Sequence, residues 1–219
     1  MVDASVEQAP SGSSTRRLIL ASSSPRRQSL LKEAGYRFDV VPAEIDEEAY
    51  PSGLLPSAVA EFLAHKKASV VADRFPDAVV LGADTVVAFG DQLLGKARDV
   101  DEARRILELL SGTTHLVITG VAVICRATGF DRKTRSMSAV RMRQMSAEAI
   151  NRYLATGDWI GKAGAYGIQD SDPFVVRLTG SHTNIVGLPM GVTKTLLTEA
   201  GIPPPHPSLE PEASPADRP

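Results

Sequence analysis

Short apolar runs alternate with amphipathic stretches along this chain, and that alternation restricts the folds that it can adopt. The runs LIL, AVVLGADTVVAF, LVITGVAVIC and FVVRL are rich in Val, Leu and Ile, and a helical pattern follows each of them. Strands that alternate with helices in this way are typical of an α/β domain. Residues 112–143 read as two strands joined by a long hairpin, so we expect a mixed sheet with antiparallel pairs and not a purely parallel one.

Both ends of the chain differ in composition from its centre. Residues 1–16 are rich in Ser, Gly and Ala, and residues 203–219 are rich in Pro, so we predict that both segments are disordered. The stretch 17–202 then forms one domain, which is long enough to bury a core without disulfides. The single cysteine, Cys125, lies in the apolar run VAVIC and is interpreted as a core residue.

Charge and hydropathy exclude several classes of partner. The chain has a formal net charge of -2 with both signs mixed, so we expect no broad basic face and no stable nucleic-acid complex. No run approaches the roughly 20 apolar residues of a membrane span, and residues 1–15 lack the apolar core of a secretion signal. We therefore expect a cytoplasmic protein that binds a small molecule and no membrane.

The segment SSSPRR is interpreted as a loop and helix start that bind an anion. Ser24 is a good N-cap residue and Pro25 suits the first helical position. Arg26 and Arg27 then fall in the first turn, where the positive end of the helix dipole disfavours cations. A bound phosphate would relieve that cost and would meet free backbone N–H groups. The alternative is a pair of solvated arginines.

Asp84 lies inside the apolar run VVLGADTVVAF, where a buried carboxylate without a partner would cost several kcal/mol. A Gly90-Asp91 turn returns the chain toward Lys96, which could approach this carboxylate. Glu47 supplies a second acid. Two carboxylates together with phosphate oxygens suit Mg²⁺. The alternatives are a turn aspartate at Asp84 and a solvated acidic loop around Glu47.

Two further lysines are candidates for phosphate contacts. Lys67 shares an apolar helical stripe with Ala60 and Leu63 and is expected to point inward, whereas Lys66 is expected to face solvent. An inward lysine can also extend its amine to water. Lys162 lies in the glycine-rich stretch TGDWIGKAGAYGIQ, in which Gln169 offers hydrogen bonds that suit the edge of a base. The alternative for this stretch is an ordinary glycine-rich connection.

Six segments resemble the Maf family in order and spacing: LASSSPRRQSLLKEAG, LGADTVV, the GK of Lys96, HLVITGVAV, GKAGAYGIQ and GSHTNIVGLP. The resemblance covers residues 17–201. It implies a two-lobed α/β fold related to inosine triphosphate pyrophosphatases, with a nucleotide in the cleft between the lobes. It also implies a tendency toward homodimers.

The resemblance further implies hydrolysis of a nucleoside triphosphate between its α and β phosphates, with Mg²⁺ or Mn²⁺ as the metal. The family's proposed general base matches Asp84, which could instead act mainly as a metal ligand, and the second acidic residue matches Glu47. Residues that read the base in the dTTP and UTP branch match Arg26, Thr85 and Gln169. The family lysines match Lys67, Lys96 and Lys162, so we expect these lysines, Ser24, Arg26 and Arg27 to hold the triphosphate while Glu47 and Asp84 hold the metal.

Four positions depart from the pattern usual in the family. They are Ala97, where Pro is common, Gly161, where Asp is common, Asp170, where Gly is common, and His182, where Tyr is common. None removes a proposed catalytic group, but the changed charges beside Lys162 and Gln169 bear on base preference. Two other functions stay open: a pyrophosphatase of the 7-methyl-GTP branch, and a cell-division regulator that binds nucleotides without productive hydrolysis.

Overall fold

A computed structural model describes residues 16–168 and 174–205. The described elements, in chain order, are β1 (Leu18–Leu20), α1 (Pro25–Glu33), β2 (Asp39–Val40), α2 (Pro56–Arg74), β3 (Val79–Phe89), β4 (Gln92–Leu94), α3 (Val100–Leu110), β5 (Thr114–Cys125), β6 (Phe130–Met142), α4 (Ala147–Thr156), β7 (Val175–Thr179), α5 (His182–Val186) and α6 (Met190–Glu199). No helix among these residues is both long enough and apolar enough to cross a bilayer.

The strands form one mixed sheet in the order β2-β1-β3-β5-β6-β7, and β4 adds to β3. Strand β1 pairs in parallel with β2 and β3, and all other pairs are antiparallel. The predicted hairpin is β5 and β6, which pair from Thr114 opposite Arg141 to Cys125 opposite Phe130. The expectation of a mixed α/β fold is confirmed.

Helix α2 covers one face of β3 and β5 at very short range. Its buried side includes Ala60, Ala64 and Ala68, whose small side chains let the helix backbone approach the strands. Opposite them the strands carry Gly82 and Gly120, and an added Cβ at either position would overlap the backbone of the helix. The sequence of small residues on both sides therefore sets the distance between helix and sheet.

The remaining helices bury two separate apolar clusters. Helices α1 and α6 cover the other face of the sheet near β1, where Leu31 and Leu197 are buried. Helices α3 and α4 cover the far end of the long strands, where Leu107 and Trp159 pack in another cluster. These two packing regions are the two lobes that the family resemblance implies, and Cys125 is buried in the first of them, as predicted.

Candidate active site

A cavity of about 610 Å³ opens at an interrupted edge of β3. Strand β1 pairs with β3 as far as Leu81, and β4 pairs with it only from Val87 onward. The edge of β3 between Leu81 and Val87, which neither β1 nor β4 covers, faces the cavity. Asp84 and Thr85 point to opposite faces of the strand, as neighbours in a strand do. Both nevertheless line the cavity, because the cavity opens at the edge of the strand and reaches both of its faces.

Four charged side chains form a continuous chain along one wall of this cavity. Lys67 Nζ lies 2.6 Å from Asp84 Oδ1 and 2.6 Å from Glu47 Oε1. Glu47 Oε2 in turn lies 2.6 Å from Lys96 Nζ. The inward direction predicted for Lys67 is confirmed, since its side chain is only 8% exposed. Lys96 was expected near Asp84, but in the structure it reaches Glu47.

The two lysines keep Glu47 ionised. Desolvation raises the pKa of Glu47, but hydrogen bonds from Lys67 and Lys96 and the charges of both lysines outweigh desolvation and lower the pKa to about 2. The carboxylate therefore carries its negative charge throughout the physiological range.

Lys66 holds the loop that carries Glu47, although it was expected to face solvent. Its Nζ donates hydrogen bonds to the backbone oxygens of Asp46 (3.3 Å) and Ala49 (3.1 Å). Lys66 and Lys67 thus bind the same loop from adjacent positions of α2, one through the backbone and the other through the Glu47 carboxylate. The helical pattern placed Lys67 correctly on the buried side of α2, whereas Lys66 stays partly exposed and also contacts the loop between β2 and α2.

Arg27, at the start of α1, donates hydrogen bonds to three segments of the chain. Its Nε donates to Gly187 O (2.8 Å), its Nη1 to Ser22 Oγ (3.1 Å) and its Nη2 to Thr85 Oγ1 (3.1 Å). Burial lowers the pKa of Arg27, and the charges of Asp84 and Glu47 oppose that effect. A guanidinium has five N–H groups, so these three bonds leave two donors for a ligand.

Thr85 takes part in a buried hydrogen-bond network. Besides accepting from Arg27, its hydroxyl lies 2.9 Å from Thr119 Oγ1, which donates to Asn184 O at 3.0 Å. Sequence reasoning included Ser22 in the anion-binding segment SSSPRR but assigned no role to Thr119, Asn184 or Gly187. Thr119 lies in HLVITGVAV, and Asn184 and Gly187 lie in GSHTNIVGLP, which are both segments of the family resemblance. Nothing in the pattern of the second segment indicates that it contacts the helix start at Arg27.

The first turn of α1 faces the cavity as expected. Ser24 is the residue before the helix and Pro25 begins it, but the Ser24 hydroxyl makes no capping hydrogen bond. Ser24 and Arg26 both line the cavity and are half-buried. The Ser24 side chain is therefore not needed as the cap that the sequence predicts, and it is placed where a ligand can meet it.

A glycine-rich loop closes the opposite side of the cavity and includes Lys162 and Tyr166. Gly164 N donates to Gly95 O at 3.0 Å, and Ala165 has a left-handed φ of 56°, a conformation that is strained for a residue with a Cβ. Beneath the loop, Tyr166 Oη lies 2.6 Å from His115 Nε2. Gln169 and Asp170 follow this loop and lie outside the described residues.

His115 should make the stability of the protein dependent on pH between 7 and 5. Burial lowers the pKa of His115 from 6.5 to about 4. His115 therefore binds a proton in the unfolded chain at pH values at which it stays neutral in the folded protein. The free energy of unfolding falls as the pH falls from 6.5 toward 4. In urea denaturation, the wild type should lose about 2 kcal/mol more than His115→Gln between pH 7 and 5. Equal losses would contradict the buried, neutral state of His115.

The carboxylates of Glu47 and Asp84 suit a divalent cation that is shared with a ligand. Both already converge on one cationic atom, Lys67 Nζ, which marks the position where positive charge is stabilised. Within the described residues, no group of three or more His, Cys, Asp or Glu side chains could hold a metal. Two carboxylates completed by phosphate oxygens and waters are the usual arrangement for Mg²⁺, so this donor set fits such an ion.

Comparisons with known proteins match one family over most of the chain. The family model described as Maf-like protein matches residues 17–200. A dTTP/UTP pyrophosphatase of Pelotomaculum thermopropionicum is 42% identical over 187 residues, which cover 85% of this chain and 97% of the relative. A protein with the same name from Hahella chejuensis is 46% identical over 191 residues, which cover 85% of this chain and 94% of that one.

Solved structures supply a more distant likeness. A HAM1 protein from Coxiella burnetii matches with a TM-score of 0.47 and 14% sequence identity, and the match covers 84% of this chain and 99% of that chain.

Proposed function

This chain belongs to the Maf-like protein family, and we propose that it hydrolyses dTTP and UTP to the nucleoside monophosphate and pyrophosphate. The observation that carries the proposal is the chain of alternating charges Lys96, Glu47, Lys67 and Asp84, which lies in one cavity with the start of α1. A triphosphate needs many donors and ligands for a divalent cation, and this cavity offers the donors together with the carboxylates of Glu47 and Asp84. Relatives that match over most of their length carry the name of this activity.

The phosphate chain binds among the donors that line the cavity. Arg26 and the two remaining N–H groups of Arg27 neutralise phosphate oxygens from the helix start, and Ser24 adds a hydroxyl. Lys96 and Lys162 approach from the other side. Fixed charges that already surround the site neutralise the phosphates without reorganisation during the reaction, which is the largest contribution expected in phosphoryl transfer.

Glu47 and Asp84 are the residues that would hold the divalent cation, Mg²⁺ or Mn²⁺. Such an ion would supply positive charge that stabilises the phosphate oxygens and the leaving pyrophosphate. Before ligands bind, Asp84 Oδ1 accepts a hydrogen bond from Lys67 Nζ, and within the described residues no hydrogen bond uses Oδ2. That second oxygen orients the attacking water and receives its proton as the new bond to phosphorus forms and the bond to the bridging oxygen breaks.

Base selection depends on Arg26, Thr85 and Gln169. Because the Thr85 hydroxyl is hydrogen-bonded to Arg27 and lies beside Thr119, we propose that Thr85 acts on base selection indirectly, by fixing the helix start that carries Arg26. The cytoplasmic location, the homodimer and the domain bounds stay predictions from the sequence.

The reaction products test this proposal. Purified protein is incubated with Mg²⁺ or Mn²⁺ and a panel of dTTP, UTP, CTP and 7-methyl-GTP, and monophosphate and pyrophosphate are measured. We expect both products from dTTP and UTP. Formation of diphosphate and phosphate would reject cleavage between the α and β phosphates. Binding without turnover would favour the regulatory alternative, and preference for 7-methyl-GTP would assign the other branch.

A further inference from the structure

We infer that Lys67 excludes a divalent cation from Glu47 and Asp84 until a polyphosphate draws its ammonium group away. This inference rests on the proposed function and adds an order of binding to it. A cation alone would bind weakly, and a cation with a polyphosphate would bind tightly.

The ammonium group of Lys67 lies between the carboxylates of Glu47 and Asp84. Lys67 Nζ lies 2.6 Å from an oxygen of each carboxylate, so it occupies the space between them that a shared cation would take. The Lys67 and Asp84 side chains are 8% and 9% exposed, so water screens their attraction poorly. A cation that enters this space has to displace a buried ion pair.

The charges around Lys67 disfavour binding of a free divalent cation. Glu47 and Asp84 supply two negative charges, and Lys67 and Lys96 supply two positive charges in direct contact with them. The cluster is neutral before any ligand arrives, and Arg27 is close enough to interact electrostatically with both carboxylates. The wall therefore repels a free divalent cation and attracts a polyanion.

The chemistry of lysine provides the exchange. Its ammonium is a compact charge with three donors on a flexible four-carbon stem, and the stem of Lys67 is anchored in α2. A polyphosphate offers this ammonium new acceptors in the same cavity. Once the ammonium turns toward them, both carboxylates lose a counter-ion, and a cation with phosphate oxygens can complete its ligand set. The coupling is reciprocal, since each ligand raises affinity for the other.

Mn²⁺ binding, followed by electron paramagnetic resonance of the free ion, tests this exchange without turnover. In the absence of nucleotide, Lys67→Met should bind Mn²⁺ at least about tenfold more tightly than the wild type, a size within the usual range of coupling between sites. Met keeps the apolar stem and removes the charge. Lys32→Met is the matched control, because Lys32 is exposed in the last turn of α1, and it should bind Mn²⁺ as the wild type does.

A second measurement uses only the wild type, in case Lys67→Met folds poorly. The α,β-methylene analogue of dTTP, in which the bridging oxygen is replaced by carbon, should raise the Mn²⁺ affinity of the wild type at least about tenfold. Equally tight Mn²⁺ binding by the wild type with and without the analogue would overturn the inference, as would equal binding by a folded Lys67→Met. Hydrolysis of dTTP by the wild type is scored separately, so loss of the proposed function would be seen independently.

Discussion

Asp84→Asn is expected to lower pyrophosphate release from dTTP or UTP by about a thousandfold, within the range typical for loss of an acid or base group. The substitution keeps the shape of the side chain and leaves an oxygen that can accept from Lys67. Lys67 also retains its 2.6 Å contact with Glu47, so the buried ammonium is not left without a carboxylate. We therefore expect folding and binding of the α,β-methylene analogue to persist while the chemical step fails.

Single-turnover pyrophosphate release and calorimetric binding of the analogue separate these two effects. Asp91→Asn is the matched control, because Asp91 is an exposed aspartate in the turn that follows the same strand. It should behave as the wild type in both measurements. Unchanged turnover in Asp84→Asn would remove Asp84 from the mechanism, and loss of analogue binding would show that its main contribution is to hold the ligand.

Gly120→Ala is expected to destabilise the protein by about 3 kcal/mol, near the upper end for overpacking a core. An added Cβ would overlap the Ala60 carbonyl group and would lie 2.7 Å from Glu61 N, and these are backbone atoms of α2 that cannot rotate away. The helix has to move from the sheet as a body. For a chain of this length the melting temperature should fall by roughly 10 °C.

Gly191→Ala is the control for this substitution. Gly191 lies in the first turn of α6, and no atom lies within 4 Å of an added Cβ. The melting temperature of the Gly191→Ala variant should therefore not fall below that of the wild type. Thermal unfolding followed by circular dichroism compares the two variants. If Gly120→Ala melted with the wild type, the close approach of α2 to β5 would be wrong. Because α2 also carries Lys67, we expect Gly120→Ala to lower activity below its melting temperature.

Much of the fold could be predicted because the spacing of apolar residues along the sequence matches the faces of the strands and helices that are buried in the structure. Alternation and hydrophobicity predicted β3, β5 and β6, and the Pro25 helix start was placed correctly. The inward direction of Lys67 followed from its position on the apolar side of α2. Asp84 was predicted to have a cation nearby because a carboxylate buried within a strand needs a partner, and the structure places Lys67 against it.

Contacts between distant segments could not be predicted in the same way. Lys96 contacts Glu47 and not Asp84, and Lys66 binds a loop that no helical pattern reveals. Thr85 and Arg27 are separated by 58 positions and joined by one hydrogen bond. Each of these contacts depends on how a loop crosses a helix or a strand edge, and loop paths carry little periodic signal.

The sequence by itself determined the class of fold, the strand that carries Asp84 and the family of the chain, because periodicity, the cost of burying charge and motif order are local properties. The tertiary structure alone decided that β3 has an open edge between β1 and β4 and that Lys67 lies between two carboxylates. Those features arise where segments far apart in the chain meet. Their geometry is set by strand register and by the close packing of α2 on glycine, neither of which a linear pattern of residues specifies.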